Sequence, residues 1–350
     1  MKRMETVNRF TLTLFYVFII LLFNISAHAL TPEEILRNAI RKKGMQNFSG
    51  ISRTVSFIKS KECMAEARVY FRRPGMCRME HMRGIPPDKV LITKNNEILS
   101  IDYRQRKVYK TKITSSANDN ESKEKLLLKN YSPFLKGEEK IAGRKAYVIE
   151  VKSRLKGRPS KLLWIDKENF AILSSKTFSC GGKLKTSVVF SEVDFHNEPP
   201  EKKFLLPEGF KVVTVEQRDR KIDSVDELSK KVEFDVKLPE KLPEGFVFDG
   251  FFLYRCNCGV NMAHIRYFDG LAGISIFEGP RDCPKCGEGF SWRRRIGMRN
   301  NDTCTKEECE LTGQKWENIR TFLDDTRRFI VIADISDDEM ELIKNELLRK

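Results

Sequence analysis

The stretch HIRYFDGLAGISIF, residues 264–277, carries the clearest local signal in this 350-residue chain. Apolar residues recur at alternate positions on both sides of Asp269-Gly270, and this period is typical of half-buried β-strands. An Asp-Gly pair between two such runs favours a two-residue hairpin turn. We therefore predict an antiparallel hairpin that pairs residues 264–268 with residues 273–277.

The chain around this hairpin combines strands with capped helices. Residues 234–236, 250–254 and two segments within 316–335 have strand character. Ser336 with Glu339 forms a capping-box pattern ahead of a final helix, whose apolar stripe is Met340, Ile343 and Leu347. Ser224 with Glu227 predicts a shorter helix in the same way. The second half of the chain is therefore predicted to be a small α+β unit.

The first half reads as one helix followed by a long antiparallel meander. Thr31-Pro32-Glu33-Glu34 has the cap, the first-turn proline and the acidic residue of a helix start. A short helix is predicted around residues 125–131, after the polar segment 115–124. One face of such a sheet must be covered, by a helix or by an apolar ligand. Strands are predicted at residues 50–58, 67–73, 77–82, 90–93, 98–103, 107–113, 146–151, 161–166, 171–179 and 183–195.

Composition changes mark the expected domain boundaries. Pro199-Pro200 and the charged segment 217–224 interrupt the strand pattern. We predict a first domain at residues 30–215, a linker at 216–231 and a second domain at 232–350. A cysteine-rich insertion, at about residues 279–312, interrupts the second domain.

The first 29 residues have the organisation of a signal peptide. Lys2, Arg3 and Arg9 precede an uncharged apolar run at residues 10–23, and Ala27-His28-Ala29 offers small residues at the cleavage positions. We predict export to the periplasm with cleavage after Ala29. An uncleaved N-terminal anchor is the alternative, although this mostly apolar run of 14 residues is short for a membrane-spanning helix.

The chain is strongly basic, with a net charge of +15. The signal segment holds three basic residues and one acidic residue, so its removal leaves 321 residues with a net charge of +13. Export argues against a nucleic-acid partner and leaves lipid headgroups, the phosphates of lipopolysaccharide or acidic proteins. The alternative is that the excess lysine serves solubility alone.

Nine cysteines lie after the signal segment, and an odd number leaves at least one outside any intramolecular disulfide. Cys283-Pro284-Lys285-Cys286 has the form of a zinc knuckle, while an exported location favours disulfides. Disulfides, a structural zinc site and thiol redox chemistry all stay open. A bridge between Cys63 and Cys77 is a further possibility. The candidate ligands or disulfide partners are Cys256, Cys258, Cys283, Cys286, Cys304 and Cys309.

Several segments, in order, resemble the RseB/MucB family of periplasmic sigma-factor regulators. Residues 267–278 (YFDGLAGISIFE) resemble that family's characteristic hairpin, and residues 242–246 (LPEGF) resemble the entry into its C-terminal domain. The resemblance covers most of residues 140–200 and 232–350. Its other segments are 141–149 (IAGRKAYVI), 163–166 (LWID) and 329–335 (FIVIADI).

The resemblance implies an N-terminal unclosed antiparallel β half-barrel with covering helices, like the LolA lipoprotein carriers, and a smaller C-terminal α+β domain. It implies binding of the periplasmic part of a membrane anti-sigma factor, with release on sensing lipid or lipopolysaccharide in the envelope stress response. A periplasmic lipoprotein or lipid carrier, or chaperone, is the alternative function. A homo-oligomer is compatible with either.

Four aromatic residues lie on or beside the strands expected to line an apolar cavity, although ordinary core packing is the other interpretation. They are Trp164, Phe170, Phe190 and Phe195. No catalytic constellation is apparent: His81, His196 and His264 are isolated, and phosphate loops and nucleophile elbows are lacking. The sequence therefore predicts a binding protein and no enzyme, with no cofactor beyond a structural zinc ion.

Overall fold

A computed structural model of the chain describes residues 30–58, 61–82, 89–112, 120–216, 219–256, 259–281 and 319–349. The predicted signal peptide with its cleavage site at Ala29, and nearly all of the cysteine-rich insertion, lie outside the described residues. Within the described part, four α-helices accompany two β-sheets. The α+β composition predicted from the sequence is confirmed.

The twelve strands of the first sheet follow one another along the chain. They are β1 (Phe48–Ile58), β2 (Lys61–Arg72), β3 (Met76–His81), β4 (Lys89–Lys94), β5 (Glu97–Asp102), β6 (Lys107–Lys112), β7 (Tyr131–Ile141), β8 (Arg144–Ser153), β9 (Ser160–Asp166), β10 (Ile172–Phe178), β11 (Leu184–Asp194) and β12 (Lys211–Thr214). Their spatial order is β12-β6-β5-β4-β3-β2-β1-β11-β10-β9-β8-β7. The β12–β6 pair is parallel and the others are antiparallel. Because the order ends at β12 and β7, the described sheet is open.

The six strands of the second sheet are arranged as β13-β14-β15-β16-β18-β17. They are β13 (Asp219–Ile222), β14 (Val247–Arg255), β15 (Asn261–Phe268), β16 (Gly273–Pro280), β17 (Ile319–Leu323) and β18 (Arg327–Ala333). Strands β15 and β16 form the predicted hairpin, with Phe268 paired to Gly273.

The strands end where predicted, so the loop has the four residues 269–272, and the two-residue turn that Asp269-Gly270 favours is not formed. The Asp269 carboxylate explains the longer loop. Its Oδ1 accepts the backbone N–H groups of Leu271 at 2.9 Å and Ala272 at 2.6 Å. These side-chain hydrogen bonds stabilise a wider turn than an Asp-Gly dipeptide by itself predicts.

The three helices with a predicted capping residue begin where that residue predicts. Helix α1 (Pro32–Arg41) has the Thr31–Glu34 capping box, and α4 (Asp337–Leu348) has the Ser336–Glu339 box. Helix α2 spans Asn120–Asn130, and so begins earlier than expected. Helix α3 (Val225–Val232) is capped by Ser224.

The segment predicted as a linker, residues 216–231, is structured over most of its length. It contains strand β13 and all but the last residue of helix α3, and Ile222 and Leu228 are buried in the core of the second sheet. The change from one sheet to the other takes place between β12 and β13. The charged composition of residues 216–231 did not indicate these elements, because only one face of each short element is buried.

The two sheets build their cores differently. The second sheet has a large apolar cluster that joins α3 and α4 to β15, β16 and β18. The first sheet has three smaller clusters: one under α1, one on β4–β6 around Phe204, and one around Trp164. Its central strands β1, β2, β3 and β11 consist mostly of half-buried residues.

Candidate ligand-binding and partner-binding surfaces

The four predicted cavity aromatics do not share one surface. Trp164 is 5% exposed and packs in a cluster with Leu173 and Phe195, and its Nε1 donates to Glu139 Oε2 at 2.8 Å. Its neighbours Leu163 and Ile165 belong instead to the cluster under α1. Successive side chains of a strand point to opposite faces, so Trp164 faces away from the helix.

The other three aromatics divide between two places. Phe190 and Phe195 each approach Phe48, with ring centroids 5.8 Å apart in both pairs. Phe170 packs against the cluster under α1, where Lys42 Nζ lies 4.4 Å from its ring centroid. The structure therefore links Phe190 to Phe195 through Phe48, packs Phe195 against the cluster of Trp164, and separates Phe170 from them.

Helices α1 and α2 cover one end of the first sheet and are joined by ion pairs. Glu124 on α2 is 4% exposed, and its carboxylate accepts from Arg41 Nη2 at 2.9 Å and from Arg37 Nη1 at 2.5 Å. The hydrogen bond from Arg41, with that from Arg37, lowers the pKa of Glu124 despite its burial. These contacts hold the helices over the apolar residues of β7, β8 and β9.

A groove of about 390 Å³ lies at the N-terminal end of α1. Its walls carry acidic, basic and hydroxyl side chains, and none of the predicted aromatics borders it. This composition suits a polar segment better than an acyl chain. The residues that line it are Thr31, Pro32, Glu33, Glu34, Arg37, Ser132, Pro133 and Arg154.

Of the six cysteines predicted as ligands or disulfide partners, only Cys256 is described, and it is buried on the second sheet. Cys258, Cys283, Cys286, Cys304 and Cys309 lie outside the described residues. Within the described part of the chain, no cluster of three or more His, Cys, Asp or Glu side chains is arranged to hold a metal ion.

The possible Cys63–Cys77 bridge is not formed. Cys77 lies opposite Phe71 on β2, eight residues along that strand from Cys63. At about 3.3 Å per residue, the two positions are roughly 26 Å apart, far beyond the reach of a disulfide.

The described histidines do not assemble a catalytic group. His264 is buried on β15, its ring stacks on Phe277 at 4.0 Å, and its Nδ1 lies 3.1 Å from Asp219 Oδ1. Exposed His196 follows β11, and His81 ends β3. His264 therefore belongs to the packing of the second sheet.

Charge is distributed very unevenly along the chain. Residues 30–214, which hold the first sheet, contain 38 lysines and arginines and 21 aspartates and glutamates, a net charge of +17. Residues 215–350 contain 23 lysines and arginines and 27 aspartates and glutamates, a net charge of −4. The electrostatic attraction for an anionic partner is thus concentrated on the first sheet.

The profile of the MucB/RseB N-terminal domain matches residues 33–207. These residues span the first sheet from α1 to the segment before β12. The chain belongs to the MucB/RseB family. The family resemblance seen in the sequence is confirmed, and the profile extends it to residues before 140, where the sequence alone had shown only a matching pattern.

Solved structures of MucB share the fold of this MucB/RseB-family chain over both sheets. The complex of Pseudomonas aeruginosa MucA with MucB superimposes with a TM-score of 0.58 at 16% identity, covering 89% of this chain and 96% of that one. MucB in complex with MucA(peri) gives a TM-score of 0.57 at 17% identity, with 90% and 97% covered. MucB alone gives 0.51 at 16% identity, with 89% and 96% covered.

No curated protein sequence matches this family member. Among the residues that the structure describes, no helix has both the length and the apolar character needed to cross a bilayer.

Proposed function

We propose that this protein is a periplasmic negative regulator of an envelope-stress sigma factor, which acts by binding the periplasmic part of a membrane anti-sigma factor. The observation that carries the proposal is the similarity to MucB over about nine tenths of the chain, including a MucB structure solved with MucA(peri). The similarity covers both sheets, so a partner that binds across both of them would find both in this chain. The proposed role is binding, without catalysis.

The domain organisation proposed for this role follows the two sheets. The first domain, residues 30–215, is an unclosed half-barrel partly covered by α1 and α2. The second is the smaller α+β domain, which includes β13 and α3 and so begins before the predicted residue 232. The open order of the first sheet and its half-buried central strands support this shape. Such a surface has room for a ligand that the closed core of the second sheet lacks.

The charge asymmetry supports an anionic ligand on the first domain. Its net charge of +17 would attract the phosphates of lipid or lipopolysaccharide, or an acidic segment of the anti-sigma factor. Sensing of lipid would use the apolar side chains around Phe48, Phe190 and Phe195, which lie close together. Competition between such a lipid and the anti-sigma factor would link envelope damage to release.

The central experiment is affinity isolation of residues 30–350 from detergent-solubilised membranes of the source bacterium, with the bound proteins identified by mass spectrometry. We expect a single-pass anti-sigma protein encoded beside a sigma factor, and we expect its purified periplasmic part to bind directly in calorimetry. Recovery of lipoproteins without any anti-sigma factor would contradict the proposal. It would favour a lipid or lipoprotein carrier, the second candidate, which the half-buried face of the first sheet also suits.

Export and the state of the cysteines are proposed together, because one measurement tests both. The mass of the native protein isolated from the periplasm should correspond to a chain that begins at Leu30. Successive treatment with a chelator and a reductant then separates a structural zinc ion from disulfides among the cysteines. A mass that includes residues 1–29 would show an uncleaved anchor instead.

A further inference from the structure

Buried polar groups make much of the contact between the two sheets, beside Leu271 of the hairpin loop, which packs against the apolar cluster under α1. Strands β1 to β12 all belong to the first sheet and β13 to β18 to the second, so the described chain passes between them once. The relative orientation of the sheets therefore depends on non-covalent contacts. Interfaces of this kind within a chain ordinarily permit motion unless they are large and apolar.

Arg158, in the loop between β8 and β9, is the centre of this contact. Its side chain is fully buried and pairs with two carboxylates of the second sheet region, Asp269 and Glu339. Its Nη2 donates to the carbonyl oxygen of Glu244 at 2.8 Å, and its guanidinium lies 4.6 Å from the ring centroid of Phe246. One cation of the first sheet region thus meets four residues of the second.

Asp269, in the loop of the β15–β16 hairpin, receives groups from both sheets. Its Oδ1 holds the loop itself, while its Oδ2 accepts the hydroxyl of Tyr131 at 2.8 Å and lies 3.4 Å from Arg158 Nε. Burial and the neighbouring Asp269 carboxylate raise the pKa of Tyr131, so its hydroxyl remains a donor. The same aspartate therefore shapes the hairpin and joins it to the first sheet.

Backbone groups complete the contact. The side-chain amide of Asn130 donates to the carbonyl oxygens of Gly245 at 2.9 Å and Asp269 at 2.7 Å. Gly270, with a φ of +105°, lies so close to α2 that a Cβ there would come within 2.5 Å of the Leu127 backbone. A side chain at Gly157, with a φ of +68°, would likewise come within 2.6 Å of Ser336 Cβ.

A second, smaller contact lies at the tip of the β10–β11 hairpin. Lys185 Nζ pairs with Asp334 Oδ2 at 3.0 Å, and the backbone N–H of Cys180 donates to Asp334 Oδ1 at 3.1 Å. Burial, followed by the charge of Asp334, raises the pKa of the Cys180 thiol to about 11. This thiol therefore stays protonated at neutral pH, and its Sγ donates to the carbonyl oxygen of Ile335 at 3.3 Å.

We propose that the contacts of Arg158 with Asp269, Glu339 and Glu244, called the latch below, hold the two sheets in one relative orientation. Replacing a buried ion pair with apolar side chains often costs little stability, whereas such pairs fix a particular arrangement in some proteins. A shared cation with two carboxylate partners on separate elements is suited to fixing an arrangement, because sliding of the sheets would leave a buried charge without a partner. The inference does not depend on the proposed anti-sigma partner.

Glu339 connects the latch to the C-terminal helix. Its Oε2 accepts from the backbone N–H of Ser336 at 3.3 Å and from the Ser336 hydroxyl at 3.1 Å, and the same oxygen meets Arg158. The capping box of α4 therefore shares an acceptor with the latch. Loss of the Arg158–Glu339 pair should loosen the first turn of α4. The effect should occur even though α4 packs in the core of the second sheet and Arg158 belongs to the first sheet region.

The test compares Arg158→Met with Arg144→Met in the full mature chain. Arg144 also pairs with a buried aspartate, Asp166, but entirely within the first sheet. In hydrogen–deuterium exchange, we expect Arg158→Met to make the amides of residues 126–133, 266–274 and 336–341 exchange about tenfold faster, which is a local opening. Small-angle X-ray scattering should show a larger radius of gyration, while Arg144→Met should change neither result.

A second variant keeps the test decisive if Arg158→Met folds poorly. Glu339→Gln retains a side chain that can complete the capping box but removes one charge partner, and we expect a smaller acceleration of exchange in the same segments. The proposal is overturned if both variants leave the exchange of these segments and the scattering profile unchanged. It is also overturned if Arg144→Met produces the same changes.

Discussion

The two sheets of this protein bury their apolar surface in different ways. In the second sheet, β15 is buried on both faces at Met262, Ala263, His264 and Ile265. Helices α3 and α4 join one large cluster, and Met262 belongs to a second, smaller cluster. In the first sheet, the clusters lie apart and the strands between them are half-buried. Most of the apolar surface of the second sheet is therefore covered, whereas the first sheet has half-buried strands between its clusters.

The amino-acid composition of the strands accounts for this difference. The β1 segment FSGISRTVSFI and the β10 segment ILSSKTF contain many serines and threonines, which tolerate contact with water on a sheet face. The β18 segment RRFIVIA is almost wholly apolar after its first two residues, and such runs are typical of strands covered on both faces.

The largest expected effect is a difference in the cost of removing one isoleucine from each sheet. Ile265→Ala empties a fully buried site in the second sheet and should lower the free energy of unfolding by about 2–5 kcal/mol. Ile51→Ala, at a half-buried site on β1, should cost less than half as much. Urea unfolding followed by circular dichroism measures both, and equal costs would remove the distinction between the sheets.

A smaller difference is expected between two glycines with positive φ. Gly182→Ala, in the β10–β11 hairpin, places a Cβ in open space at a φ of +76°, and a residue in this region costs about 1–3 kcal/mol. Gly270→Ala adds a clash with the Leu127 backbone and should cost more than Gly182→Ala. Thermal unfolding of the two variants compares them directly, and a milder effect at Gly270 would argue against close contact between hairpin and helix.

The smallest expected effects are opposite pH dependences of a carboxylate in each region. Arg41 and Arg37 lower the pKa of Glu124, so its stabilising contribution is present above the unfolded pKa and is lost as pH falls through the lower folded pKa. Burial raises the pKa of Glu278, although Arg327 opposes this. Its stability contribution therefore improves as pH falls through the raised folded pKa towards the unfolded value.

These signs predict different slopes in two variants. Glu124→Gln should make the loss of stability in acid shallower near and below pH 4.5, the ordinary glutamate pKa. Glu278→Gln should make the decline steeper above that pH, because the compensating proton uptake is removed. Urea midpoints between pH 7 and pH 3 measure both slopes. Changes in slope of the same sign, relative to the unsubstituted protein, would contradict the assignment.

Local features of the fold were predictable because they depend on residues close in sequence. The capping boxes at Thr31 and Ser336 and the stripe of α4 all form as the sequence predicts. The hairpin at Asp269 was also found, although its loop is longer because the carboxylate hydrogen bonds reach across it. Strands β12 and β13 were not predicted, because each has only four residues and too few apolar positions to reveal a period. Strand β7 was not predicted either.

The candidate site was less predictable, because a strand's alternation does not reveal which face another element will cover. Trp164 and Phe170 both read as cavity residues, yet they lie in different clusters. Nothing in the sequence around Arg158 indicated a buried contact, since an isolated arginine before a proline is ordinary in a loop. Its importance depends on carboxylates that are distant along the chain.

The sequence by itself determined where the three capped helices begin, most strands, the basic charge and the family, since each rests on spacings of a few residues or on the order of short motifs. Only the tertiary structure decided which aromatic side chains meet, how evenly each sheet is covered and how the two sheets touch. Tyr131 and Asp269 are 138 residues apart and form a buried hydrogen bond. Such contacts exist only when the whole chain has folded, because their energy depends on burial that no local segment can provide.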